Sequence, residues 1–234
     1  MGSTRESGEQ AAGGLDDGPP AGGAEDFESR GVERLGLFSD AVMAIAITLL
    51  AIELPVPSGD SAAVLWASVR HEDGHYAAFL ISFAVIAASW SDHYDLFRCI
   101  TRVDARLRWL NSGWLLMIVL NPFATRLLTT RGHPTVEAHA MRFGFYALLQ
   151  VLDAVLLLAM VTHMRARRQA PDTPPRVLTR IVRESCGMMI AFGVSIPVFF
   201  VWRGAWVLWF ALPGVVGLSR RYEQRRRRLE AAGE

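Results

Sequence analysis

Four side chains able to do acid–base or coordination chemistry interrupt the apolar runs of this sequence: Asp40, His93, Asn111 and Asp153. A carboxylate and an imidazole can pass a proton or match a cation, and a carboxamide can donate and accept at once. In apolar surroundings such groups are costly unless they face protein or water, so each marks either a mutual hydrogen bond or a function. The chain has no glycine-rich phosphate loop, no clustered metal ligands and no nucleophile–base pair. No catalytic residue, no metal and no cofactor is therefore expected.

The elements that hold these groups can be read from hydropathy. Windows of about 19 residues pick out six apolar segments, at roughly 36–55, 76–91, 109–125, 143–163, 187–202 and 204–219. The last two, interrupted by Pro197, Arg203 and Pro213, read as one helical hairpin. A buried soluble bundle is the plainer alternative, but the charges favour a membrane. All 24 basic residues are arginine, and with six spans 19 of them fall on the side that carries both termini. The positive-inside rule then makes both termini cytoplasmic. Cys99 and Cys186 near that side are not expected to pair.

The first segment has two faces. From Ala41 to Ile52 only Thr48 is polar. At 100° per residue, Phe38, Val42, Ile45, Leu49 and Ile52 share one narrow stripe, and Asp40 lies about 140° from Ile45. Span 1 begins and span 2 ends on the same side, so Asp40, His93 and the early Asn111 of span 3 lie at similar depth. A buried network among the three is the cheapest way to keep them, with Asp40 holding span 1 to spans 2 and 3. Arg34 is too far round the helix to pair with Asp40 and should meet a carboxylate of another helix or lipid headgroups. Gln150 and Asp153 share a face of span 4, where Asp153 reads as an interhelical contact or a proton-coupling group.

The pattern Arg34-x-x-x-Phe38-Ser39-Asp40, followed by an Ala/Ile-rich helix with Thr48-Leu49-Leu50, resembles the first-helix signature of the lysosomal potassium channel family (transmembrane protein 175) in its single-repeat bacterial form. Ser82-Phe83, Trp90 and His93 in order, Asn111, and Asn121-Pro122-Phe123-x-Thr125 are similar to the same family. It often has a second histidine where this chain has Tyr94. The resemblance implies an all-α membrane protein with six transmembrane helices per subunit, the first lining a pore at a homotetramer axis. It places a constriction at Ile45, Leu49 and Ile52, with Thr48 as an adjacent hydroxyl, and implies potassium permeation with modest selectivity over other monovalent cations. Stacked apolar rings gate by dewetting, and the chain has no Thr-Val-Gly-Tyr-Gly carbonyl filter. The rival reading is a proton-coupled transporter using Asp40, His93 and Asp153, though repeats and broken helices at matching positions are missing.

Residues 1–28, acidic and Gly-rich, are expected to be disordered; 29–219 form the membrane domain, and 220–234 a basic cytoplasmic tail. That arginine cluster follows a span directly, so it reads as a topology signal or lipid contact rather than a nucleic-acid site. No nucleic-acid partner is expected, and the localisation implied is the inner (plasma) membrane, multi-pass.

Overall fold

The computed structural model describes residues 21–130, 135–170, 173–202 and 204–209. Six α-helices follow one another: α1 (Ala21–Ile52), α2 (Ala62–His71), α3 (Asp73–Phe97), α4 (Ala105–Thr129), α5 (Val136–Arg167) and α6 (Pro175–Val201), then a 3₁₀ turn at Ala205–Val207. No strand occurs among the described residues. The protein is an all-α membrane protein.

Four helices, α1, α3, α5 and α6, are long and apolar enough to cross a membrane on their own composition. The helix α4 is as long as α3, about 37 Å at 1.5 Å per residue, but carries Asn111, Asn121 and three arginines. It is sheltered instead. The buried side chains of α4, Leu107, Trp114, Leu115 and Ile118, meet Met43, Ala46 and Leu50 of α1 and Leu157, Met160 and Met164 of α5 in one core. A second core at the opposite end stacks Phe143, Tyr146, Phe192, Phe199 and Trp209 against each other.

The helix ends differ from the hydropathy reading because hydropathy registers only the apolar part of a helix. The expected disordered tail overlaps α1, which is helical from Ala21; adding turns to an already nucleated helix costs little. Residues 1–20 lie outside the described residues. Between the apolar segments that end near 163 and begin near 187, only 168–174 lie outside helices, because α5 runs to Arg167 and Pro175 opens α6 at a position where a missing N–H is harmless. Between the first two apolar segments lies the ten-residue α2, capped by Ser61. It is too short to span. Of the sixth expected segment only 204–209 are described; the rest, with the basic tail 220–234, lies outside the described residues.

Two junctions set the tilt of α4. Asp104 caps its N-terminus, Oδ1 accepting from Leu107 N–H at 2.8 Å, while Oδ2 accepts from His163 Nε2 of α5 at 2.7 Å. At the other end Arg126 meets Glu53, the residue just after α1, at 3.1 Å, an exposed pair of small energetic weight. Partial burial pushes the Asp104 carboxyl up, but the Leu107 N–H together with His163 and Gln169 outweighs it and holds the group below the ordinary carboxylate value.

A carboxyl with a lowered folded pKa stabilises above its unfolded pKa and loses that contribution as pH falls through the folded value. Asp104→Ala should therefore lower stability by about 1 kcal/mol at neutral pH. In detergent melts of both proteins, the difference in Tm should shrink below about pH 4.

Candidate functional site: the two faces of the first helix

The helix α1 carries its polar attachments on one side and its apolar stripe on the other. Ser39, Met43, Ala46 and Leu50 are buried. Their spacing of four, three and four places them on one arc, centred about 130° from Ile45. Opposite them, Ile45 is 58% exposed, Leu49 44% and Ile52 79%, with Phe38 also exposed. Thr48, beside the stripe, donates its hydroxyl back to Ile45 O at 2.8 Å. A hydroxyl bonded to its own helix can tolerate apolar surroundings.

The buried arc is fixed by a directional chain of hydrogen bonds. Ser39 Oγ donates to Leu35 O at 2.9 Å, so toward other partners it can only accept. It accepts from Asn111 Nδ2 at 3.0 Å, which fixes the orientation of the amide. Asn111 Oδ1 must then accept, and it does so from His93 Nε2 at 2.8 Å. Every donor in the chain has one acceptor, and the chain joins α3, α4 and α1. The imidazole lies between Phe97 and Trp114, both with ring centroids 4.1 Å away, the Trp114 plane only 4° from its own. Asn111 and His93 are 0% and 1% exposed. Among the described residues no acidic side chain is hydrogen-bonded to His93, whose Nε2 bonds Asn111.

Asp40 is not in this chain. Its Oδ1 accepts from Trp90 Nε1 at 2.9 Å, near the surface of the subunit. The expected bridge from Asp40 through His93 to Asn111 is thus replaced by one from Ser39, the preceding residue, about 100° away around the helix. The reason is desolvation. A serine whose proton is satisfied within its own helix is cheap to bury, whereas a carboxylate is not. Asp40 instead takes a second, outer contact to α3. Arg34 is exposed and makes no ion pair among the described residues.

Residues that the hydropathy reading passed over complete the framework. Trp114 turns its Nε1 to Ser89 Oγ at 3.2 Å, and Ser89 donates to Asp153 Oδ2 at 2.8 Å. Asp153 is therefore tied to α3 through Ser89 and makes no hydrogen bond to Asp40 or His93 among the described residues. Asn121 Nδ2 donates to Gln150 Oε1 at 3.3 Å, and Ser82 Oγ contacts Thr125 Oγ1 at 2.7 Å and the Tyr146 hydroxyl at 3.0 Å. At one end of the bundle, Arg180 of α6 pairs with Asp95 and lies 3.9 Å from Asp92. The spacing Ser89-x-x-Asp92-His93 could have signalled a polar face on α3. Ser89 is hidden there as one small residue among alanines.

Comparison with known proteins places these residues in a known context. Residues 34–122, from the Arg34 signature through Asn111 to the α4 proline, match the family model described as endosomal/lysosomal potassium channel TMEM175. A potassium channel of Streptomyces collinus is 31% identical over 186 residues, spanning 76% of this chain and 90% of that one. The chain belongs to the TMEM175 family. Another relative from Chamaesiphon minutus, also named a potassium channel, is 30% identical over 175 residues, with 69% of this chain and 83% of that one covered. The crystal structure of a lysosomal potassium-selective channel TMEM175 homolog from Chamaesiphon minutus superposes with a TM-score of 0.66 at 26% identity, covering 81% of this chain and 98% of that one. The TMEM175 match spans the stripe, the Ser39–Asn111–His93 chain and the Asp40–Trp90 contact together.

Replacing Asn111 by Ala leaves Ser39 and His93 without their mutual partner inside the bundle and should cost about 2–4 kcal/mol. Asp40→Asn keeps an oxygen for Trp90 and should cost less than about 1 kcal/mol. Thermal melts of the two purified variants in one detergent check the ranking; equal losses would mean that the bridge does not run through Ser39.

Proposed function

We propose that the chain forms a potassium-permeable cation channel in which four copies of α1 surround an axis and Ile45, Leu49 and Ile52 form stacked apolar rings in place of a carbonyl filter. The observation that carries this reading is the orientation of α1. Its buried arc is locked by a directional hydrogen-bond chain, and its continuous apolar stripe is left without a partner among the described residues of the subunit. An apolar stripe alone could face lipid. A stripe on a helix whose rotation is so firmly specified, in a chain whose relatives are named potassium channels, is better accounted for as a shared axis.

In such an axis the three rings are about one turn apart, and water is expelled until the helices separate enough to wet the passage. Thr48 lies next to the rings, where a rotation about χ1 would release its hydroxyl from Ile45 O toward a passing ion. The four-fold assembly, the passage of other monovalent cations beside K⁺, the inner-membrane location and the cytoplasmic placement of both termini are parts of this proposal. The arginine asymmetry of the sequence supports that topology. Asp40, His93 and Asp153 each bond to a different neighbour and not to one another, which gives a proton relay among them no continuous path.

Purified protein in a planar bilayer under opposed K⁺ and Na⁺ gradients tests the reading. Unitary currents should appear, with a reversal potential displaced toward the K⁺ equilibrium value. Leu49→Ala should widen and wet the constriction, raising single-channel conductance or open probability and reducing the preference for K⁺. Saturable flux coupled to proton movement, without unitary steps, would overturn the channel.

A further inference from the structure

Away from α1, a cavity of about 260 Å³ opens between α3, α5 and α6. Three side chains that line it present buried polar atoms with no hydrogen-bond partner: Asp153 Oδ1, Gln150 Nε2 and Ser185 Oγ. Their residues are 8%, 3% and 3% exposed. Buried polar groups are nearly always paired, and three unpartnered groups on residues around one space point to an occupant.

The charge of that occupant follows from Asp153. Its other oxygen is held by Ser89, with the Trp114 indole N–H alongside, and no arginine or histidine pairs with it among the described residues. Arg180 of α6 is engaged with Asp95, Asp92 and Glu184, and Arg183, which lines the cavity, is itself exposed and makes no ion pair with Asp153 among the described residues. Asp92 and Glu184 also line the cavity. A buried carboxylate without a cationic partner is strongly disfavoured, and water alone leaves its charge unmatched. A divalent metal ion would find too few ligands: no group of three acidic, histidine or cysteine side chains able to hold a metal occurs among the described residues. The remaining wall is largely aliphatic, from Val85, Ala154, Leu157 and Met188.

We propose that this cavity is a binding site for a small organic ammonium ion, its charged group on Asp153 Oδ1 and its short apolar body against Val85, Leu157 and Met188. Ser185 Oγ accepts a second ammonium proton or bonds a water carried in with the ligand. The volume, just under the range typical of pockets for drug-sized molecules, suits a single ring or a short chain. The site belongs to one subunit and does not require the pore.

Calorimetric titration of the full-length protein in detergent with cyclohexylammonium chloride, at constant potassium chloride, tests this. Saturable binding is expected, while the neutral analogue cyclohexanol should not bind. Asp153→Asn should weaken it by about tenfold or more, the weight of one charge-assisted hydrogen bond. Gly187→Leu is the second variant, since Gly187 lines the cavity and a Cβ there meets nothing within 4 Å. It fills the space while leaving Asp153 and its Ser89 bond intact, and it should abolish binding without lowering Tm. Leu49→Ala should bind the amine normally. The proposal is overturned by undiminished binding to both cavity variants, by cyclohexanol binding as tightly as the amine, or by no saturable heat at all. Binding is read directly and not through current, so any of these outcomes is independent of whether the protein conducts.

Discussion

Everything on the α1 side of the bundle depends on the chain of hydrogen bonds from His93 through Asn111 to Ser39. In hydrocarbon an unpaired amide or imidazole N–H has no water to fall back on and costs several kcal/mol. The chain is directional, with each donor matched to one acceptor, so it tolerates little rotation of any participant. Turning α1 by one residue would bring Phe38 or Asp40 to Asn111, the first unable to accept and the second too costly to bury. Apolar packing of Met43, Ala46 and Leu50 fills the same interface, but aliphatic contacts alone would permit neighbouring registers. The polar chain selects one of them.

This explains which parts of the site could be read from the sequence. A histidine and an asparagine inside apolar runs, at depths fixed by the alternation of spans, announce themselves because they must be paired. Choosing between Ser39 and Asp40 as the third partner is harder. The two are adjacent and differ by about 100° of rotation, and the charge draws attention to the wrong one. What decides is invisible in a hydropathy profile: Ser39 satisfies its own proton within the helix, through Leu35 O, before it is buried. Trp114 and Ser89 were equally obscure. A tryptophan counts as apolar and a serine among alanines counts as small, yet the indole N–H and the hydroxyl form the link that holds Asp153.

The fold shows the same division. Four helices declare themselves by length and hydropathy. The fifth long helix, α4, carries the asparagines and arginines that would exclude it from lipid, and is acceptable only because α1, α3 and α5 surround it. Its membrane character is a property of the bundle rather than of its own sequence. The ends of α1, α5 and α6 run beyond their apolar segments for the complementary reason: a helix already nucleated in the core continues into polar surroundings until a cap or a proline stops it, as Pro175 does for α6.

Trp114 constrains how α1 could move if it lines a pore. The edge of its indole is tied to Ser89 and its face is stacked 4.1 Å from His93, so its position is set by two nearly perpendicular requirements. His93 in turn holds Asn111, and Asn111 holds Ser39. Rotation of α1 about its own axis would break the Asn111–Ser39 bond and leave a buried amide unpaired, a penalty that wetting an apolar ring does not offset. Tilting of α1 about Ser39 leaves the bond in place. Ser39 lies more than one helical turn before Ile45 and more than three before Ile52, so a small tilt about that point displaces Ile52 more than Ile45. Dilation should then be graded along the stripe, largest at the Ile52 end. There the Arg126–Glu53 contact is exposed and the restraint on α1 is correspondingly weak.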